Sequence, residues 1–220
     1  CDAAGRLVGL VRGSTLFERQ AIELTAQAGT MVGVEKEERL GTPWKRSLRS
    51  RHPWLQLNLL TAFIAAAVVG IFESTIDRIV VLAVFLPVLA GQSGNTGCQA
   101  LAVTLRAMTL GELQKGRERA AVMKEALLGV LNGSMVGVTA GAGMFVYASM
   151  QDNPAALTLG FVVLVAMTGA CVISGVSGVL VPVTLKRLGA DPATASSIFL
   201  TTATDVASMG LFLLLATLLV

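Results

Sequence analysis

The chain has 220 residues, 54% of them apolar and only 14% charged, with a net charge of +3. Soluble domains carry about 25% charged residues, and here the deficit is uneven: the first 53 residues hold 15 of the 31 charges, leaving 16 for the other 167. The long second part cannot cover itself in water and reads as a membrane domain. Three scattered cysteines with no Cys-x-x-Cys give no sign of a disulfide framework or a zinc site. The single histidine, His52, excludes a histidine-based metal centre or triad within one chain. Cys98 and Cys171 fall in apolar stretches and are expected to be small buried hydrophobes. The chain opens on Cys1 rather than Met, and it reads as a fragment whose natural start lies upstream.

In chain order, Arg6–Arg12 has the pattern of a strand, and a partly amphipathic helix is expected from Ser14 to about Gly29. Glu35-Lys-Glu-Glu-Arg39 follows, then a break at Gly41-Thr-Pro43 and a basic run of Lys45, Arg46, Arg49 and Arg51. About fifty residues of this composition cannot bury a core of their own, so they read as a linker or the remnant of a domain. From Trp54 onward, five apolar segments are each long enough for a bilayer core of ~30 Å, which takes about 20 helical residues. They fall at 54–72, 77–105, 126–148, 156–185 and 193–219. The second is the least regular. After Pro87, the stretch Gly91-Gln-Ser-Gly-Asn-Thr-Gly-Cys-Gln99 is expected to interrupt it. Irregular backbone at membrane depth is tolerated only where protein or a watery cavity surrounds it.

Lysine and arginine are divided very unequally between the two ends of these segments. One end carries thirteen: six in the segment just before the first span (Lys36, Arg39, Lys45, Arg46, Arg49 and Arg51), five between spans two and three, and two between spans four and five. The other end carries Arg78 alone. By the positive-inside bias the N-terminus is expected in the cytoplasm and the C-terminus outside. Gly129, Gly133, Gly137 and Gly141 share one face of span three, and Ala166, Ala170, Ser174 and Gly178 share one face of span four. Such faces let helix backbones approach closely in lipid, within or between subunits. They carry packing rather than chemistry.

Packing does not explain Asp205, the one acidic residue deep within an expected span. A carboxylate there costs several kcal/mol and ordinarily faces a cavity, an ion path or a partner. No Lys or Arg lies mid-span to neutralise it, which leaves a protonated, hydrogen-bonded Asp or an ion pathway. Asn95, Thr96 and Gln99 add oxygen atoms at similar depth, the ligand type of a hard cation such as Mg²⁺ or Ca²⁺. Mg²⁺ gives up its waters reluctantly, so a polar pore with one carboxylate per subunit suits it better than a dry cage. Glu73 and Asp77 stand at the outer mouth, either concentrating cations or as ordinary solvated charges. Gly91-Gln-Ser93-Gly and Ser174-Gly-Val-Ser177-Gly superficially resemble the serine motifs of intramembrane proteases, but no histidine base lies at that depth. An aspartyl protease would need a second mid-membrane carboxylate.

With these residues in hand, the chain resembles the MgtE family of magnesium channels. The resemblance rests on Pro87-Val-Leu-Ala-Gly-Gln-Ser-Gly-Asn-Thr-Gly-Cys-Gln99, on Thr104-Leu-Arg-Ala-Met-Thr-Leu-Gly-Glu-Leu113, and on Arg187-Leu-Gly-Ala-Asp-Pro192 leading to Thr201-Thr-Ala-Thr-Asp-Val206. Their order, spacing and the five-span count all match. The resemblance implies three parts: residues 1–13 as the remnant of a CBS-like domain, 14–52 as a connecting helix with a basic juxtamembrane linker, and 53–220 as the pore domain. It further implies a homodimer with its pore on the dimer axis between spans two and five. Asp205 occupies the place of the family's central metal-binding aspartate, and Thr201 would shape that site through its backbone carbonyl. Gly91, Gly94 and Asn95 match the glycine-rich pore motif. Many relatives have Asn where this chain has Cys98, and Asn-Pro or Gly-Pro where it has Ser197-Ile198. These positions would line the cytoplasmic half of the pore.

The resulting expectation is an all-α polytopic inner-membrane protein, not an enzyme, with five spans per subunit. It passes hydrated Mg²⁺ as a channel, with a second copy of itself, the lipid bilayer and upstream cytosolic regulatory domains as partners and no role for nucleic acid. A secondary carrier or exchanger of divalent cations using the same Asp205 is the alternative, and a structural membrane scaffold would leave that residue unexplained.

Overall fold

The computed structural model describes residues 12–113 and 116–220. Among them every regular element is helical, in the order α1 (Gly13–Met31), α2 (Trp44–Ile71), α3 (Glu73–Arg78), α4 (Val81–Thr109), α5 (Glu118–Ser149), α6 (Ala156–Arg187) and α7 (Pro192–Leu219). All but α1 and the short α3 are long and apolar enough to cross a bilayer, five spans in all. The expected strand at Arg6–Arg12 and the CBS-like remnant at 1–13 lie almost wholly outside the described residues.

The chain divides into two units near Leu55. In the N-terminal unit only Thr30 is buried among the described residues. Helix α1 ends where Gly33 adopts φ 79°, a left-handed conformation that favours glycine. Gly33 also lies flat against the Trp54 indole: a Cβ there would sit 2.0 Å from a ring carbon. The turn that follows is tied down by charge. Glu38 receives a hydrogen bond of 3.1 Å from Arg51 Nε, and Glu35 one of 3.2 Å from Arg46. The Arg51 hydrogen bond holds the Glu38 carboxyl below the ordinary carboxylate range. Pro43 then supplies the carbonyl that accepts from the Arg46 and Ser47 amides and starts α2. The basic run 45–51 is therefore helical, and the helix begins ten residues ahead of the expected span.

The C-terminal unit is an up-and-down bundle built around α6. Its glycine-rich partner α5 packs in a strict antiparallel register. A Cβ at Gly129 would lie 2.6 Å from Val172 Cα, at Gly133 3.0 Å from Thr168 Cα, at Gly137 2.9 Å from the Leu164 carbonyl, and at Gly141 2.6 Å from the Gly160 carbonyl. All four glycines are buried, so the stripe serves contact within the subunit. The small-residue face of α6 is likewise buried at Ala166, Ala170, Ser174 and Gly178. Gly178 meets Ala100 and the Gly97 carbonyl of α4, and Gly169 meets Leu211 of α7. A large apolar core closes one half of the bundle, with Leu82, Phe85 and Leu89 set against Met144, Leu159, Met167, Phe212 and Leu213. Toward the basic end, small hydroxyl residues (Thr104, Ser174, Ser196 and Thr204) are buried among Leu101, Leu105, Val179 and Leu200.

Helix α4 runs unbroken from Val81 to Thr109, straight through Pro87 and the Gly91–Gln99 stretch. The expected interruption does not occur. Neighbouring helices hold the segment in register. The Thr96 and Thr104 hydroxyls turn back to the carbonyls of Gln92 and Ala100, at 3.0 and 2.7 Å, which fits polar residues into a helix at this depth.

Candidate functional site

Within the Gly91–Gln99 stretch, helical geometry sorts the residues onto different faces. Ser93, Gly97, Ala100 and Thr104 are buried. A Cβ at Gly97 would meet Thr204 Cγ2 at 3.0 Å and Leu200 Cδ1 at 3.1 Å. The Ser93 hydroxyl donates to the Ala90 carbonyl at 3.1 Å and reaches the Thr204 carbonyl at 3.5 Å. These contacts seat the middle of α4 against residues 200–204 of α7. The residues on the next face, Gly91, Gly94, Asn95 and Cys98, repeat at helical spacing. Gly91, Asn95 and Cys98 are exposed, Gly94 is half-buried, and nothing lies within 4 Å of where a Cβ would stand on either glycine. An open polar groove wall thus flanks the α4–α7 seam.

On α7, Asp205 is the fourteenth of 28 residues, at mid-helix. It is half-buried, and its side chain makes no hydrogen bond or ion pair with any described residue. The neighbouring hydroxyls are all spoken for. Thr201 Oγ1 donates back to the Ser197 carbonyl at 2.9 Å, with the Ile198 carbonyl at 3.1 Å. Thr204 Oγ1 donates to the Thr201 carbonyl at 3.0 Å, and Ser208 Oγ donates to the Asp205 carbonyl at 3.2 Å. Hydroxyl-to-carbonyl bonds of this kind satisfy the threonines locally and leave the carboxylate as the one unpartnered polar group on its stretch of helix. Among the described residues no set of three His, Cys, Asp or Glu side chains converges as a metal cage.

The other sequence-derived positions divide. Ser197 is half-buried two turns before Asp205, whereas Ile198 is buried inside the bundle and cannot line an aqueous path. Cys98 is exposed on the open face of α4, against the expectation of a buried hydrophobe, because it shares the face of Gly91 and Asn95. Cys171 is buried as expected, 3.5 Å from Thr96 Oγ1. Glu73 and Asp77 are exposed on α3, at the end of the bundle far from the basic loops, while Thr75 between them bonds Thr217 of α7 at 2.9 Å.

One feature had no signal in the sequence. Glu118 at the start of α5 pairs with Arg187 at the end of α6, 2.9 Å apart. Both are helix-end charges of an ordinary kind, and nothing in their spacing announces the contact.

Fold and site together define a polytopic α-helical membrane protein with an unpaired carboxylate at mid-span. Residues 86–215 match the MgtE family, described as a divalent cation transporter. The chain is 31% identical to a magnesium transporter MgtE of Enterococcus faecalis over 94% of its own length and 44% of the relative. It is 32% identical to the Bacillus subtilis magnesium transporter MgtE over 76% of the chain and 36% of the relative. The Thermus thermophilus magnesium transporter MgtE is 28% identical over 99% of the chain and 47% of the relative. The chain belongs to the MgtE family, and it spans less than half the length of these relatives.

Proposed function

We propose that two copies of this chain form a pore that passes hydrated Mg²⁺ down its electrochemical gradient, with the Asp205 pair holding the ion at the centre. The observation that carries this reading is the half-buried, unpartnered Asp205 carboxylate at mid-span, on a helix that packs on the Ser93 and Gly97 face of α4, beside its open Gly91, Gly94, Asn95 and Cys98 face. Mg²⁺ keeps several of its waters and is bound through one or two carboxylates, so one Asp205 from each subunit is the right number of ligands. Permeation requires a site strong enough to admit the ion and weak enough to release it, a condition that a hydrated ion between two carboxylates meets. Thr201 would shape the site through its carbonyl, Ser197 and Cys98 would line the inner half, and Glu73 and Asp77 would draw cations to the outer mouth.

In this reading the protein is a transporter of the inner membrane rather than an enzyme, with the basic ends of the helices and the N-terminus in the cytoplasm. Its partners are a second copy of the chain, the bilayer and cytosolic regulatory domains that precede the connecting helix. The test is Mg²⁺ flux into proteoliposomes, wild type beside Asp205→Ala at matched incorporation. The variant is expected to lose flux or cation discrimination by roughly tenfold or more, equivalent to about 1.4 kcal/mol in ion binding. Equal behaviour of the two would make Asp205 a structural residue and defeat the proposal. Wild-type currents no larger than a cycling carrier can deliver would move the site to alternating access.

A further inference from the structure

At the basic end of the C-terminal unit, a cavity of about 640 Å³ opens between the end of α4, the start of α5 and the end of α6. It is lined by Met108, Leu113, Glu118, Val183, Lys186 and Arg187. The lining has two characters. Met108 of α4 and Val183 of α6, with Leu113 of the connection after α4, make an apolar wall that continues the two spans. Lys186, Arg187 and Glu118 make a charged rim at the level where those helices leave the apolar region. Glu118 is engaged by Arg187 at 2.9 Å. Lys186 has no carboxylate or other partner among the described residues, so the rim keeps an uncompensated positive charge.

We propose that this cavity is a binding site for an anionic phospholipid, whose headgroup phosphate lies on Lys186 and Arg187 and whose glycerol and first acyl carbons lie on Met108, Leu113 and Val183. Three properties of the lining select that ligand. An ammonium and a guanidinium lining one cavity complement a phosphate, and the guanidinium is oriented by its bond to Glu118. The apolar wall would be wasted on a small inorganic anion but matches the junction between headgroup and chain. The place is also right, since basic pockets between membrane helices at the interface are where anionic headgroups bind. Because the cavity joins α4, α5 and α6, an occupant would tie the loop after α4 to the rigid α5–α6 pair. The cavity shares no lining residue with the surroundings of Asp205, and the inference stands whether or not the pore reading does.

The test uses the full chain purified in detergent from mixed micelles holding equal amounts of phosphatidylglycerol and phosphatidylcholine, with bound lipid counted by native mass spectrometry. Phosphatidylglycerol is expected to be retained in preference. Lys186→Gln should weaken that retention about fivefold, the effect of one interfacial lysine. Met108→Trp, which fills the apolar wall and leaves every charge in place, should reduce it as well, and it decides the matter should the lysine variant fold poorly. Arg119→Gln, an exposed charge at the same end outside the cavity, should change retention little. Millimolar glycerol 3-phosphate should fail to displace the lipid. Equal retention of the two lipids, equal losses in the Lys186 and Arg119 variants, an unchanged Met108→Trp protein, or displacement by glycerol 3-phosphate would each overturn the proposal, the last in favour of a small-anion site.

Discussion

Helices α2 and α6 are both long, apolar and fit to cross a bilayer, yet they live in different surroundings. Half of the apolar window of α6 is buried inside the subunit, against 6% for α2. Both are strongly apolar, and what separates them is which side chains face a neighbouring helix. Helix α6 presents Gly160, Ala166, Ala170, Ser174 and Gly178 toward its neighbours, and each admits another backbone closely. Helix α2 instead carries Leu55, Leu57, Leu59, Leu60, Phe63 and Ile64 on open surface. Near its end Ala65 is buried, and a Cβ at Gly210 of α7 would stand 3.3 Å from Val68 Cγ1. In lipid, apolar surface gains nothing by leaving its surroundings, so contact depends on fit rather than hydrophobicity. Length and composition therefore identify a span, but small residues at helical spacing do not alone decide where it packs, since Ala62, Ala66 and Gly70 of α2 are also four apart and stay exposed.

The largest test of this contrast is Gly141→Leu. Its side chain would start 2.6 Å from the Gly160 carbonyl, and a backbone neighbour cannot move aside as a flexible side chain can. A loss of about 3 kcal/mol or more is expected in detergent unfolding, at or beyond the upper end of overpacking costs. A stability change below 1 kcal/mol would show that α5 and α6 do not meet through this stripe. Next in size is a matched pair of truncations. Met167→Ala on α6, fully buried, should cost about 2–4 kcal/mol, whereas Leu60→Ala on α2, 63% exposed, should stay within about 0.5 kcal/mol. Equal costs would mean that α2 is packed as tightly as α6.

The smallest effect concerns the basic start of α2, where Arg46 and Arg51 bond the preceding turn. The Glu38 carboxyl is lowered by its hydrogen bond from Arg51, so the charged form belongs to the folded turn. Its stabilisation is present above the unfolded carboxylate value and disappears as pH falls through the lowered folded one. Trp54 fluorescence in a Trp44→Phe background should therefore shift at acid pH as the turn beside Gly33 loosens. Glu38→Gln should show the shifted signal already at neutral pH. A pH-independent signal in both proteins would separate the ion pair from the turn.

Much of this organisation was readable in advance from particular residues. The five spans followed from apolar length, and the close face of α5 followed from glycines four apart at 129, 133, 137 and 141. Asp205 was conspicuous because no cation lies at its depth in the sequence. The continuity of α4 was not readable, since Pro87 and the glycines at 91, 94 and 97 carry a local preference for a break. What overrides it is tertiary: Gly178 packs against Ala100, and Leu200 and Thr204 pack over Gly97. The helical start of α2 and the Glu118–Arg187 pair were hidden for the same reason, because each depends on partners that only the fold brings together.

The register between α5 and α6 has a mechanical consequence. Where glycine faces backbone at four successive turns, no pliable side chains stand between the two axes, and sliding one helix along the other drives each carbonyl into the next main-chain ridge. The pair behaves as a single stiff beam. At the α4–α7 seam, by contrast, Leu200 and Thr204 rest on Gly97 through side-chain atoms that can rotate. A widening or narrowing of the groove beside Asp205 falls to that seam, with the α5–α6 beam as the fixed frame against which it moves.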